Sequence, residues 1–149
     1  MRNPAAPLLT TIVAFAALLG APQLARSLAQ DRRPGVETQY VEIVTPEVDA
    51  TCAALAAIHA VEFGDPIPEL GAARTTELAG GATIAVRAPM HDQETPVVRH
   101  YTRVDDLDAA VIAAEAAGAQ IAIPGMEIPG RGRIAIYLLG GNQFGLWER

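Results

Sequence analysis

The chain has a single cysteine, Cys52, so it can form no internal disulfide and no cysteine-based zinc site. It has no arginine- or lysine-rich run, and its formal charge is −6. Nucleic acid presents a dense row of phosphates that such a chain is poorly equipped to meet, which argues against that class of partner. Also missing are a G-x-G-x-x-G fingerprint, a P-loop, a serine elbow and a Cys/His pair at a spacing that suggests nucleophilic catalysis. The apolar run from Leu8 to Leu19 is short of the roughly 20 residues a bilayer span needs.

What is there begins with that run. Arg2 precedes it, Gly20 and Pro22 follow it, and Ser27-Leu28-Ala29 supplies small residues suited to a cut. A positive start, a short apolar centre and a small-residue site are the order of a secretory signal peptide. Residues 1–29 are therefore expected to be a signal peptide, with residues 8–19 as a membrane anchor if it stays uncleaved. Residues 30–37 read as a linker to the domain. The expected location is outside the cytoplasm, periplasmic or secreted, and any membrane contact runs through that uncleaved segment. The remainder of the 149 residues, in a chain 50% apolar, suffices for one domain or for two small modules sharing a core.

Two passages share one pattern. "YVEIVTPEVDATCAALAAIHA" starts at Tyr40 and "RHYTRVDDLDAAVIAAEAAGA" at Arg99, and each turns from strand-like to helical spacing. Val48, Cys52, Leu55 and His59 make an apolar stripe in the first helix; Leu107, Val111, Ala114 and Gly118 occupy the same steps in the second. Thr45 before Pro46 is placed to cap the first helix, Asp105 the second, and Gly118 to stop it. On that stripe Cys52 reads as a small hydrophobe. Short strands are expected at Val61–Phe63, Arg74–Leu78 and Thr83–Arg87 in the first half, with Gly80-Gly81 as a turn. The second half should have them at Gln120–Ile123, Ile134–Leu138 and Gln143–Glu148, with Gly140-Gly141 as the matching turn. Each half is then β-α-β-β-β. Neither buries enough apolar surface alone, so the halves pack on each other or on those of a second chain.

The paired modules, with "VDDLDAAVIAAEAAGA" and the closing "GGNQFGLWE", resemble the vicinal oxygen chelate superfamily, which includes glyoxalase I, extradiol dioxygenases and bleomycin-binding proteins. The resemblance implies an α+β domain over residues 38–149, made of two βαβββ modules (38–96 and 97–149). These form a curved mixed-sheet cup with helices outside, often completed by a homodimer. It also implies metal-ligand positions on first and last strands, which fall here on Tyr40, on Ala85 or Arg87, on Arg99 and on Gly145. Arginine, alanine and glycine are not side-chain ligands for a divalent metal. No cofactor is therefore expected, and His100, one residue from the position of Arg99, becomes a metal ligand only if the strand register differs by one.

Strand alternation from those positions turns Tyr40, Glu42, Arg87, Arg99, Tyr101, Arg103, Gln143 and Trp147 into the cup. Tyr40, Arg87, Arg99, Arg103, Gln143 and Trp147 are the candidate ligand-binding residues, Arg87 and Arg99 offering forks of donors to an oxygen anion where relatives hold a metal. Glu42 and Tyr101 are the candidate acid–base pair, although Glu42 and the arginines could equally form a structural ion network. The expectation is a metal-free cup binding a small anionic organic molecule. Alternatives are a metalloenzyme of the same fold (lyase, isomerase or dioxygenase) and a ligand-free interaction module.

Overall fold

Thr38 to Val44 form strand β1, and their burial alternates from Tyr40 onward, with Tyr40, Glu42 and Val44 more enclosed than Val41 and Ile43. The computed structural model describes residues 35–149. The expected signal peptide, the residues 8–19 anchor and most of the linker lie outside that range. No helix among the described residues is long and apolar enough to cross a membrane.

After β1 come helix α1 (Val48–His59), a 3-10 turn (Pro68–Leu70), β2 (Arg74–Glu77), β3 (Thr83–Arg87) and β4 (Val97–Val104). Helix α2 (Leu107–Ala116) and strands β5 (Gln120–Ile128), β6 (Gly132–Leu139) and β7 (Asn142–Glu148) complete the chain. The sheet is seven-stranded, in the order β2-β3-β1-β4-β7-β6-β5. Its two halves join where β1 runs antiparallel to β4; the β2-β3 hairpin and the β5-β6-β7 meander attach through parallel pairs, β1 with β3 and β4 with β7. The halves thus meet within one chain. This is the α+β architecture of a curved mixed sheet with helices on its outer side.

One face of the sheet gathers Tyr40, Ala73, Ala85, Tyr101, Ile128, Ile134, Ile136 and Trp147, the lining of the cup. The other buries Leu107, Val111, Ala135 and Leu146 beneath α2. Helix α2 packs on β5, β6 and β7, whereas α1 lies against β3. Of the stripe expected on α1 only Cys52 is buried, Val48 and Leu55 being half-covered and His59 exposed. On α2, Leu107 and Val111 are buried as expected.

Several local expectations are corrected. Val61–Phe63 forms no strand. Pro66 and Pro68 follow it and have no N–H for a ladder, so the segment keeps only isolated bonds to the β2 side, Gly64 N to Thr75 O at 2.9 Å and Ile67 N to Ala73 O at 2.9 Å. The cap of α2 is Asp106, one residue later than expected, its Oδ1 accepting from Ala109 N at 2.9 Å. Thr45 accepts from Glu47 N at 3.2 Å in a local turn and does not cap α1. Gly118, with φ +89°, does stop α2 in the left-handed region.

Candidate functional site: an ion network at the end of an aromatic cup

Strand alternation puts three aromatic residues from three strands on the cup floor. Tyr40 and Trp147 have ring centroids 4.8 Å apart, Tyr40 and Tyr101 5.6 Å, and Tyr101 and Trp147 5.7 Å, all edge-to-face. Each of the three is at most 4% exposed. Trp147 Nε1 donates to Arg131 O at 2.9 Å. The ring of Tyr101 lies over Gly145 on the neighbouring strand, where any Cβ would collide with it. Glycine is at this position because an aromatic ring takes the space of its side chain.

Beyond the aromatic floor lies a closed set of charges. Glu42 Oε1 accepts from Arg87 Nε at 2.6 Å, and Glu42 Oε2 accepts from Arg99 Nη1 and, at 3.0 Å, from the Tyr101 hydroxyl. Arg99 also reaches Gln143 Oε1 through Nε at 3.2 Å and Nη2 at 2.5 Å, and Tyr101 Oη through Nη1 at 3.3 Å. Arg87 carries a second carboxylate, Glu94, through Nη1 at 2.8 Å and Nη2 at 2.7 Å, and its Nη1 donates to Ala88 O at 3.0 Å. Two guanidiniums face two carboxylates, so the network is neutral. Of the five N–H groups of each guanidinium, one on Nη2 is left without a partner in this set.

Burial and neighbours set the protonation states. Burial, with the Glu42 charge adding to it, pushes the Tyr101 and Tyr40 hydroxyls up, and both stay protonated across the physiological range. Burial works against the Arg87 charge, but Glu94 and Glu42 outweigh it and hold the guanidinium charged. The hydrogen bonds from Arg87 hold the Glu94 carboxyl down at about 2 from an ordinary 4.5, with burial opposing and the bond from Met90 N assisting. A depressed carboxyl contributes stability that is complete above its unfolded value and is lost as pH falls through the folded one. Unfolding free energy should therefore drop between about pH 4.5 and 2 more steeply in the native chain than in Glu94→Gln. Urea titrations at stepped pH test this; parallel curves would mean that Glu94 is not paired in solution.

The cup encloses about 580 Å³, and Tyr40, Glu42, Arg87, Arg99, Tyr101, Gln143 and Trp147 all line it. Arg103 does not. It stands exposed near the end of β4, past the bulge at Gln39 that puts β1 one residue out of step with β4. His100 points away from the cup: it is exposed on the outer face beside Val41 and Phe144, where neither helix covers it because α1 and α2 lie over the strands to either side. Glu94 was missed. It sits in "APMHDQETP", which reads as a plain connection, yet one carboxylate at position 42 cannot saturate two buried guanidiniums. The unmet demand of Arg87 was the available signal.

These residues do not fit a divalent metal. The floor positions present two guanidiniums, which repel a cation and already take both oxygens of Glu42, and the Tyr101 ring fills the space of a ligand at position 145. Among the described residues no three of His, Cys, Asp and Glu come together.

No family model matches the chain, and no curated protein sequence does. Solved structures do. A hypothetical protein from Bacillus halodurans superposes with a TM-score of 0.62 at 10% identity, over 76% of this chain and 94% of its own. Methylmalonyl-CoA epimerase from Mycobacterium tuberculosis gives 0.58 at 19% identity, over 74% and 86%. A Streptomyces coelicolor methylmalonyl-CoA epimerase in complex with 2-nitronate-propionyl-CoA gives 0.54 at 15%, over 74% and 92%. Likeness at such identities is one of fold and not of activity. Paired modules joined at β1 and β4 around a cup, together with these superpositions, give this chain the vicinal oxygen chelate, or glyoxalase-like, fold.

Proposed function

We propose that the domain binds a small organic molecule, mostly apolar with an anionic oxygen head, and holds it in the cup without a metal. The observation that carries this is a cavity of about 580 Å³ with aromatic and aliphatic walls and an arginine-bearing polar end. That volume is ordinary for a small-molecule site, and convergent polar groups at one end of an apolar cleft orient a ligand. The same proposal takes the chain to be exported, on the strength of its leader, and to form a homodimer, which rests on the superfamily resemblance alone.

An acid–base enzyme of this fold would need an available base. Both oxygens of Glu42 are already engaged by Arg87, Arg99 and Tyr101, and burial keeps the Tyr101 proton in place. Binding is therefore favoured over catalysis by Glu42 and Tyr101, and a ligand-free interaction module would not need the cavity.

Trp147 is the only tryptophan, and it lines the cup. Titrating residues 30–149 with small aliphatic and aromatic carboxylates should change its fluorescence saturably. Arg99→Ala should weaken the change with circular dichroism unaltered, because it leaves the cup one positive charge short while Glu42 keeps Arg87 and Tyr101 as partners. Stoichiometric divalent metal in a native mass spectrum taken without chelator, or the absence of any saturable change with these carboxylates, would overturn the proposal.

A further inference from the structure

Arg87 holds two carboxylates of different standing. Glu42 is part of β1 and buried in the sheet. Glu94 belongs to residues 88–96, which join β3 to β4 and are exposed apart from Pro89 and Glu94. The side chain of Glu94 is the charged tie of this segment to the cup: it takes Arg87 Nη1 and Nη2 at 2.8 and 2.7 Å, and Met90 N at 2.8 Å, beside an Arg87 Nη1 bond to Ala88 O and the packing of Met90 at Gly71. Two parallel N–H bonds from one guanidinium are the geometry in which arginine takes a free carboxylate ligand. The wall of the cup therefore contains a carboxylate receptor that is filled by the chain's own carboxylate, and Met90, Gln93, Glu94 and Thr95 all border the cavity.

Charge decides what an incoming anion can do there. Added beside the intact network, it would face Glu42 and Glu94 with no uncompensated cation to meet it. Exchanged for Glu94, it leaves the network neutral, and the released Glu94 carboxylate gains the water from which it is now largely shielded, its side chain being 15% exposed. A monocarboxylate satisfies this exchange. A dianionic phosphate would leave a surplus negative charge against buried Glu42. The adjoining walls, with Leu70, Ile128, Ile134 and Ile136, suit an apolar tail.

Building on the cup-binding function above, we propose that the Arg87 fork is the head-group site for a monocarboxylate with an apolar tail, and that Glu94 is its built-in competitor. The ligand enters by displacing Glu94 and freeing residues 88–96 from the cup wall. An internal competitor lowers apparent affinity by the fraction of time it leaves the site open, so removing it raises affinity by the inverse of that fraction.

Hexanoate is a suitable probe, followed by calorimetry and by Trp147 fluorescence. It should bind Glu94→Ala at least ~10-fold more tightly than the native chain, methyl hexanoate should show no such gain, and Arg87→Met in the Glu94→Ala background should remove it. Acetate should raise the thermal midpoint of Glu94→Ala and leave that of the native chain unmoved. Equal hexanoate affinity in native and Glu94→Ala chains would sink the competitor role while the cup-binding function stands. No hexanoate binding in either chain would overturn the head-group assignment, and failure of the wider carboxylate panel in the native chain would count separately against the function. Should Glu94→Ala fail to fold, recovery on refolding with acetate supports the exchange, and no recovery with acetate, when Glu94→Gln folds without it, rejects it.

Discussion

Replacing Glu42 by alanine is expected to cost about 3–5 kcal/mol of stability, the range for breaking a buried ion pair by removing one partner. Glu42 is 7% exposed and its two arginine partners 4% each, so neither guanidinium has ready access to water once the carboxylate is gone. Their losses differ. Arg87 keeps Glu94, whereas Arg99 is left with the neutral oxygens of Gln143 and Tyr101. Arg99 is thus the uncompensated charge that makes the substitution expensive. Urea unfolding near neutral pH measures the effect. A loss under about 1 kcal/mol would show that water reaches the network readily and that it does not hold the cup together. Such networks seldom stabilise a fold more than an apolar core would, so one placed on a cavity wall fits better with a binding surface than with a structural strut.

Trp147→Ala is expected to cost a similar 3–5 kcal/mol, the usual range for deleting a large buried aromatic ring. The ring is 2% exposed and has edge-to-face partners in Tyr40 and Tyr101. A spatial effect accompanies the energetic one. Trp147, Tyr40 and Leu70 border both the main cavity and a second one of about 440 Å³ on the far side, which is also lined by Thr75, Glu77, Thr83 and Arg131. Removing the indole should join the two and let the cup admit longer ligands, in the direction of Arg131. Denaturation curves give the first quantity, and the chain-length preference for carboxylates the second. A stability loss below about 1 kcal/mol would show that the trio is not a packed floor.

How much of this was readable beforehand depends on distance along the chain. The phase of each strand follows from the alternation of side chains, a local property, so Tyr40 and Glu42, Arg99 and Tyr101, and Gln143 and Trp147 could be assigned to one face from a single anchor position. The buried positions Leu107 and Val111 of α2 and the Gly80-Gly81 and Gly140-Gly141 turns were readable for the same reason; Gly140 and Gly141 have φ of +58° and +79°, as a two-residue hairpin turn requires. Where a neighbour intervenes, local reading stops. Val61–Phe63 has strand-like residues, but the prolines that follow deny it a ladder. Arg103 has the right phase and the wrong surroundings, because a bulge one strand away changes what lies beside it.

The sequence by itself determined which side chains of a strand share one face, since that rests on residue identity and a period of two; that arginines and a carboxylate stand where relatives hold a metal is what the superfamily resemblance implied. Only the tertiary structure decided what those arginines do. Whether a buried guanidinium is open to a ligand or already neutralised depends on every acid the fold carries to within hydrogen-bonding distance. Glu94 arrives through a loop whose path no periodicity encodes, and it closes the fork of Arg87 that strand alternation alone left open.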